Sequence, residues 1–273
     1  MASPITPRSV ALNLVRASAQ RPVSIRHLLE AAALFGFNPS AVRVAVTRLT
    51  ADGLLENDER GSYRLGRAAA ATHAHVETWR SGEARMRPWK GEWLTVVLGS
   101  KPERSTRRAS LRALERLSLR QGLPGLWLRP DNLREPLAAT SERLRALGLD
   151  DHAELFRTRN LSEPLAQRLC TELWPVRSLE RSYGTALRAL ERSLVELARM
   201  PRDKALVQSF LLGGEAIRVL ATDPLLPEQI LPGQTRAKLT EAMLRYDVVG
   251  RALWRGFATA PELALVNGGA RAG

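Results

Sequence analysis

Residues 38 to 65 restrict the fold more than any other stretch of this chain. Asn38-Pro39-Ser40 predicts the start of a helix, because proline is tolerated in the first helical turn, and Gly53 predicts its end. Two short runs typical of strands follow, Leu54 to Asn57 and Ser62 to Leu65, separated by a glycine-containing turn. The stretch is therefore expected to form a helix followed by a hairpin.

Two further helices are predicted before this stretch. Apolar residues recur at helical spacing from Val10 to Ala17 and from Ile25 to Leu34, where Ser24 is a candidate N-cap and Gly36 a candidate stop. The order of three helices and a hairpin predicts an N-terminal winged helix-turn-helix over residues 1 to 66. In such a domain the third helix enters the major groove of DNA.

The third predicted helix has one apolar and one polar, basic face. The polar face and the hairpin supply the predicted DNA-binding residues, which are Ser40, Arg43, Thr47, Arg48, Arg60, Tyr63 and Arg64. Because Asp58 and Glu59 at the hairpin turn should be repelled by phosphate, we expect the helix to dominate DNA contact. The alternative is an ordinary amphipathic helix with a solvated basic face.

The run AVRVAVTRLTADGLLENDERGSYRL, residues 41 to 65, resembles the recognition helix and wing of the PaaX family of phenylacetic acid degradation repressors. The matching residues are Val42, Arg43, Ala45, Arg48, Leu49, Gly53, Leu55, Tyr63, Arg64 and Leu65. The resemblance reaches residues 8 to 258 and implies a ligand-responsive transcriptional regulator. In that family the wing tip usually has more basic residues than it has here.

An Ala-rich segment predicts a linker helix over residues 67 to 88, with His73 and His75 at ordinary polar positions. Residues 89 to 160 then alternate strand-like and helical runs, with strands at Leu94 to Leu98, Gly125 to Arg129 and Ala153 to Arg157. Helices are expected from Ser105 to Leu119 and from Arg134 to Leu147. This order predicts a central ferredoxin-like α+β domain with its helices on one face of the sheet.

The W-x-G-x-W motif, Trp89 to Trp93, and the strand after it again resemble the PaaX family, whose middle domain is similar to the Cas2 nucleases. The resemblance implies that this Cas2-like domain is a dimerisation element. Those nucleases hold a metal with an aspartate at the end of the first strand, and the run from Val96 to Ser100 contains none. A metal-dependent nuclease is accordingly the less favoured hypothesis.

Arginines recur every four residues in the long central helix, at positions 104, 108, 112, 116 and 120. Such a stripe could contact DNA phosphates or the phosphates of an acyl-CoA effector. The alternative is a solvated face with Leu111, Leu114 and Leu117 turned inward. We provisionally assign effector contacts to Trp93, Arg108, Arg112 and Trp127.

Residues 161 to 273 predict a helical C-terminal domain, with helices at Leu179 to Leu197, Lys204 to Ala221 and Thr235 to Phe257. The run DPLLPEQILP, residues 223 to 232, predicts a rigid apolar connection because prolines interrupt helices. It is the most specific signature of the chain and resembles the PaaX C-terminal domain.

The composition excludes several classes of protein. Forty-one basic against 28 acidic residues give a net charge of +13, which suits a polyanionic partner, although a GC-rich genome that favours arginine codons also explains it. The single Cys170, predicted to be a small buried residue, excludes an internal disulfide and multi-cysteine zinc sites. We find no signal segment, membrane-length apolar run, catalytic constellation, metal site or cofactor motif. We therefore expect a cytoplasmic protein that is not an enzyme.

Together these features predict a mostly α protein with α+β parts that binds operator DNA as a homodimer. The resemblance implies a repressor of an aromatic-acid catabolic operon, relieved by an aryl-acyl-CoA such as phenylacetyl-CoA. Regulators of one fold diverge in the ligands they sense, so the alternative is a regulator of the same family that senses a different ligand. A structural DNA-binding protein without sequence preference is a further alternative.

Overall fold

The computed structural model describes residues 5–18, 21–58, 61–99 and 103–258. Within them the chain is mostly helical and contains two small antiparallel sheets, which confirms the predicted class of a mostly α protein with α+β parts. None of the helices in these ranges is long and apolar enough to cross a membrane.

Three helices and a three-stranded sheet form the N-terminal module, residues 7–65. The helices are α1 (Pro7–Ala17), α2 (Ile25–Ala33) and α3 (Pro39–Ala51), and the strands are β1 (Val23–Ser24), β2 (Leu55–Asn57) and β3 (Ser62–Leu65). The strands lie in the order β1-β3-β2, with both neighbouring pairs antiparallel.

The predicted starts of α2 and α3 and the predicted end of α3 are confirmed by their capping geometry, whereas α1 begins at Pro7 and not at Val10. Ser24 Oγ accepts a hydrogen bond from the His27 backbone at 3.2 Å, and Asn38 Oδ1 accepts one from the Ala41 backbone at 2.8 Å. Gly53 has a φ of +68°, a conformation that glycine adopts without strain, so the chain turns from α3 into β2.

A helical linker joins this module to a four-stranded central module, residues 93–158. The linker is α4 (Arg67–Glu77) and the 3-10 helix Thr78–Arg85. The central module consists of β4 (Trp93–Val97), α5 (Arg104–Arg116), β5 (Arg120–Leu123), β6 (Leu126–Pro130), α6 (Leu137–Ala146) and β7 (Glu154–Thr158). Its strands lie in the order β5-β6-β4-β7 and all pair antiparallel.

Two sequence predictions for the central module were wrong. Helix α5 ends at Arg116 rather than Leu119, because Ser118 turns the chain with a φ of +61°. Arg120 therefore lies in β5, a strand that was not predicted, and does not belong to the helical stripe. Pro136 caps α6, so that this helix begins at Leu137 and not at Arg134.

The C-terminal part is helical. It consists of α7 (Glu163–Glu172), α8 (Val176–Leu197), α9 (Arg202–Ala221) and α10 (Gln234–Ala258). Leu239, Met243 and Tyr246 are buried along α10. Cys170 is half-buried on α7, and burial raises the pKa of its thiol.

The two faces of the central sheet are covered by different helices. Val96 packs with Leu114 and Leu144 of α5 and α6, which confirms that both helices lie on one face. Trp93 and Leu128, on the other face, belong to the buried cluster of the C-terminal helices. The sheet is thus the layer between its own helices and the C-terminal bundle.

The DPLLPEQILP run is fixed to the central module by buried polar contacts. Arg129 Nη2 donates to the Pro224 carbonyl at 2.9 Å, and Asn132 Nδ2 donates to the Leu225 carbonyl at 2.7 Å. Leu225 has a φ of +47°, a backbone conformation that does not occur in regular helices or strands. The run forms a non-helical connection between α9 and α10, as the prolines predict.

A buried ion pair holds the same run to α10. Arg236, 2% exposed, donates to Glu83 Oε1 at 2.7 Å and lies 3.8 Å from Asp223 Oδ1. Asp223 Oδ1 also accepts a hydrogen bond from the Leu225 backbone at 2.5 Å. Burial raises the pKa of Asp223, and the charge of Arg236 opposes that effect.

Candidate nucleic-acid interface

The outward face of α3 is the candidate interface. Ser40, Arg43, Thr47 and Arg48 are all exposed on it, whereas Val42, Ala45, Val46 and Leu49 are buried against α1 and α2. The structure thus brings all four helical candidates together on one face.

The two arginines of this face are available for contact. Neither Arg43 nor Arg48 forms an ion pair with a carboxylate among the residues that the structure describes. Thr47 Oγ1 donates to the Arg43 carbonyl at 3.0 Å, so its hydroxyl keeps only acceptor capacity toward a ligand. Their guanidinium groups can donate hydrogen bonds to phosphate oxygens and to the acceptor edge of guanine.

Val44 is a residue of this face that the sequence analysis missed. It lies one helical turn after Ser40 and one turn before Arg48, and 50% of it is exposed. A valine was not assigned to the polar face, because apolar residues were assigned to the core. An exposed methyl group between arginines suits contact with the C5-methyl group of thymine.

We predict that Val44→Ser weakens binding to a specific duplex by about 1 kcal/mol and relaxes selectivity at one base position. The side chain is exposed, so the thermal midpoint should barely change. Fluorescence anisotropy with specific and scrambled duplexes measures the effect. Val195→Ser, at a valine of α8 that is 64% exposed, is the control and should leave binding unchanged.

The hairpin residues predicted to contact DNA do not share the open, unpaired setting of those on α3. Tyr63 packs against the core of the N-terminal module, and Arg64 pairs with Glu56 across the strands at 3.2 Å. Arg60 lies outside the described residues. Because Arg64 already has a carboxylate partner, this geometry supports a minor role for the hairpin.

The four provisional effector residues do not converge on one cavity. Trp93 is 1% exposed and packs between Trp89, with ring centroids 5.4 Å apart, and Trp174 at 6.4 Å. Trp127 packs on the opposite face of the sheet with α5 and α6. Arg108 and Arg112 are exposed on α5, so the assignment of Trp93 and Trp127 to one pocket finds no support here.

An open groove of about 700 Å³ lies between α8 and α9. Its lining includes Met200, Val207 and Leu211, together with Leu34 of the N-terminal module. None of the provisional effector residues lines it. No group of three or more His, Cys, Asp or Glu residues in the described ranges is arranged to hold a metal.

Aromatic rings connect the N-terminal module to the C-terminal bundle. Phe35, after α2, meets Phe210 of α9 with ring centroids 5.0 Å apart, and Phe210 meets Trp254 of α10 at 5.9 Å. His27 on α2 meets Phe257 at 5.4 Å. Since α2 packs directly on α3, the bundle contacts the element that supports the candidate interface.

His75 on α4 is not the ordinary polar position that the sequence suggested. It is 8% exposed, and its Nδ1 has no hydrogen-bond partner in the described residues. Burial, followed by the charges of Arg143, Arg85 and Arg116, lowers its pKa to about 4. The imidazole is therefore neutral in the folded protein near pH 7.

This shift predicts a pH-dependent stability. Below pH 6.5 His75 is protonated in the unfolded chain but stays neutral in the folded protein. The free energy of unfolding should therefore fall by about 3 kcal/mol between pH 7 and pH 4. Urea titrations of His75→Gln should lack that part of the decline. The exposed His152→Gln is the control, and equal declines in all three proteins would contradict the prediction.

Comparison with known proteins supports the resemblance over the N-terminal module. Residues 6–69 match the family model described as PaaX-like protein, which confirms the predicted resemblance over those residues. A solved structure of an uncharacterized protein from Mycobacterium tuberculosis, Rv0674, is similar to this chain. Its TM-score is 0.54 at 24% identity, and 90% of this chain and 99% of that one are covered. That likeness concerns the fold alone, and no curated protein matches the chain significantly.

Proposed function

We propose that this protein is a sequence-specific DNA-binding transcriptional regulator whose N-terminal module is a winged helix-turn-helix. The observation that carries the proposal is the exposed face of α3, where Arg43 and Arg48 have no carboxylate partner among the residues that the structure describes. The PaaX-like match over residues 6–69 supports a regulatory role. The net charge of +13 favours association with a polyanion.

The central module is the part of the chain that we propose pairs two copies. Its order of strand, helix, two strands, helix and strand, with the sheet order β5-β6-β4-β7, supports the proposal of a ferredoxin-like domain. We propose that this domain forms a homodimer. Two copies of α3 would then read half-sites about 34 Å apart in successive major grooves of a palindromic operator.

The proposed role is repression of an aromatic-acid catabolic operon in the cytoplasm, relieved by an aryl-acyl-CoA. The support is the PaaX resemblance, together with the exposed Arg108 and Arg112, which suit the phosphates of such a ligand. A ligand can relieve repression only if it prefers the conformation that binds DNA poorly. A regulator of this family that senses another ligand is the second candidate.

The test uses DNA from immediately upstream of the protein's own gene. Binding is compared with scrambled duplex at two salt concentrations, with and without phenylacetyl-CoA. Specific binding that the thioester weakens is expected. Specific binding that phenylacetyl-CoA does not change would contradict the proposed effector but agree with a regulator. Equal binding to the scrambled duplex would favour a DNA-binding protein without sequence preference.

A further inference from the structure

Helix α5 has one buried face and one strongly basic, exposed face. Ala113 and Leu114 pack with Val96 of the central sheet, so the opposite side of the helix is open to solvent. The exposed arginines of α5, which we call the arginine face, are Arg104, Arg107, Arg108, Arg112 and Arg116. Five arginines against the single Glu115 give this helix of 13 residues a net charge of +4.

Carboxylates do not neutralise the arginine face. None of its five arginines lies within ion-pair distance of an aspartate or glutamate in the part of the chain that the structure describes. On other helices surface arginines are paired with acids one turn away, as in Arg218 with Glu215 and Arg245 with Glu241. Like charges spaced four residues apart destabilise a helix, so the repeat of arginines on α5 does not serve stability.

Helix α4 connects the arginine face to the end of α3. The Ala68 backbone N–H donates to the Gly53 carbonyl, just after α3, at 3.2 Å. One turn further along α4, Thr72 Oγ1 accepts from Arg116 Nη1 at 3.3 Å, and the neighbouring Ala71 packs against the cluster under α5. The two hydrogen bonds are about 6 Å apart along the axis of α4. The arginine face therefore begins close to the end of the helix that we propose reads DNA.

The length and charge of the arginine face match a DNA backbone. Twelve residues separate Arg116 from Arg104, which is about 18 Å along the helix axis. A duplex of that length has about five base pairs, with one phosphate charge per about 1.7 Å of its axis. We propose that the arginine face binds the phosphate backbone of duplex DNA, beside the bases that α3 reads. Guanidinium groups suit this role because they donate in pairs to phosphate oxygens.

This second DNA-binding surface rests on the proposed function and divides the work between two helices. Contacts to the backbone supply affinity and register, whereas contacts to base edges supply sequence selectivity. The hairpin is poorly placed to supply the backbone contacts, because Arg64 is paired with Glu56. The arginine face supplies them from the central module.

The experiment measures DNA binding by the full chain as a function of salt. The probes are DNA from immediately upstream of the protein's own gene and a random duplex of the same length, at salt concentrations between about 50 and 200 mM. For the double variant Arg108→Gln, Arg112→Gln we expect the slope of log Kd against log salt to fall by about 1.8 on both duplexes. The Kd should rise at least about tenfold on both, so the preference between the two duplexes should not change.

Two further proteins serve as controls. The double variant Arg181→Gln, Arg188→Gln removes the same charge from exposed positions of α8, beyond the other face of the central sheet, and should keep the wild-type slope. The double variant Arg108→Lys, Arg112→Lys preserves both charges and should also keep that slope. All three variants should unfold at temperatures close to that of the wild type, because the replaced side chains are exposed.

Several outcomes would overturn the arginine face. Equal slopes and affinities in the wild type and in Arg108→Gln, Arg112→Gln would do so while leaving the proposal for α3 intact. A loss confined to the upstream DNA would show that the substitutions disturb base contacts by α3. Weaker binding of phenylacetyl-CoA in calorimetry, with unchanged DNA binding, would assign the arginine face to a small phosphate-bearing ligand. A wild type that binds neither duplex would contradict the proposed function as well.

Discussion

The Arg236→Met variant is expected to lose about 3 to 5 kcal/mol of unfolding free energy, the largest stability effect we predict. Arg236 and Asp223 have side chains 2% and 1% exposed, so methionine would leave a carboxylate in the interior without its cation. The variant would also release Glu83, which ties the linker to α10. Urea denaturation measures the loss.

Two further variants make this prediction specific. Arg245→Met, on the exposed side of the same helix, breaks only a surface pair with Glu241 and should cost less than about 1 kcal/mol. Adding Asp223→Asn to Arg236→Met should recover part of the loss, because the amide is neutral and its oxygen can still accept from Leu225. A loss for Arg236→Met no greater than that for Arg245→Met would contradict the buried pair.

The Arg43→Ala, Arg48→Ala double variant is expected to weaken operator binding by about 2 to 6 kcal/mol, since a bidentate contact to a base contributes about 1 to 3 kcal/mol. The two side chains are exposed, so the fold should be unaffected. Binding to random duplex should fall less, because only phosphate contacts are lost there. Competition anisotropy with operator and random duplexes measures the two losses of affinity.

A charge-matched control separates base reading from general attraction. Arg188→Ala, Arg199→Ala removes two exposed arginines from the C-terminal bundle and leaves α3 intact. It should change operator and random binding equally and slightly. If the α3 double variant also loses both affinities equally, Arg43 and Arg48 contact phosphates and do not read sequence.

Most of the N-terminal module could be predicted from local chemistry. Asn38 and Ser24 are short polar caps, and Gly53 is a stop that needs a left-handed backbone, so each boundary depends on residues next to it in sequence. The helical candidates for DNA contact followed from periodicity alone. Val44 was missed because an apolar side chain on an exposed face has no local signature.

The central module was harder to predict because its elements depend on tertiary pairing. Strand β5 contains Gly122, a poor strand former, and it exists because it pairs with β6. The arginine repeat continued to Arg120 in sequence, whereas the helix ended at Arg116. A period in the sequence cannot show where Ser118 turns the chain.

Contacts between modules had no sequence signal at all. Thr72 of α4 and Arg116 of α5 meet at 3.3 Å, yet they are 44 positions apart and nothing in the sequence links them. His75 became buried because α4 lies against the central helices, and spacing on α4 alone could not reveal this. The same holds for Phe35 and Phe210, which meet across the two modules.

The most direct test of sequence reading by α3 is selection of bound duplexes from a random pool, with wild type and Arg48→Ala side by side. The account predicts that the wild type enriches a palindrome with half-sites about one helical turn apart. It also predicts that Arg48→Ala still enriches the palindrome but loses preference at one base position in each half. A wild-type pool that stays random after repeated rounds would contradict the proposal that this protein is a sequence-specific regulator.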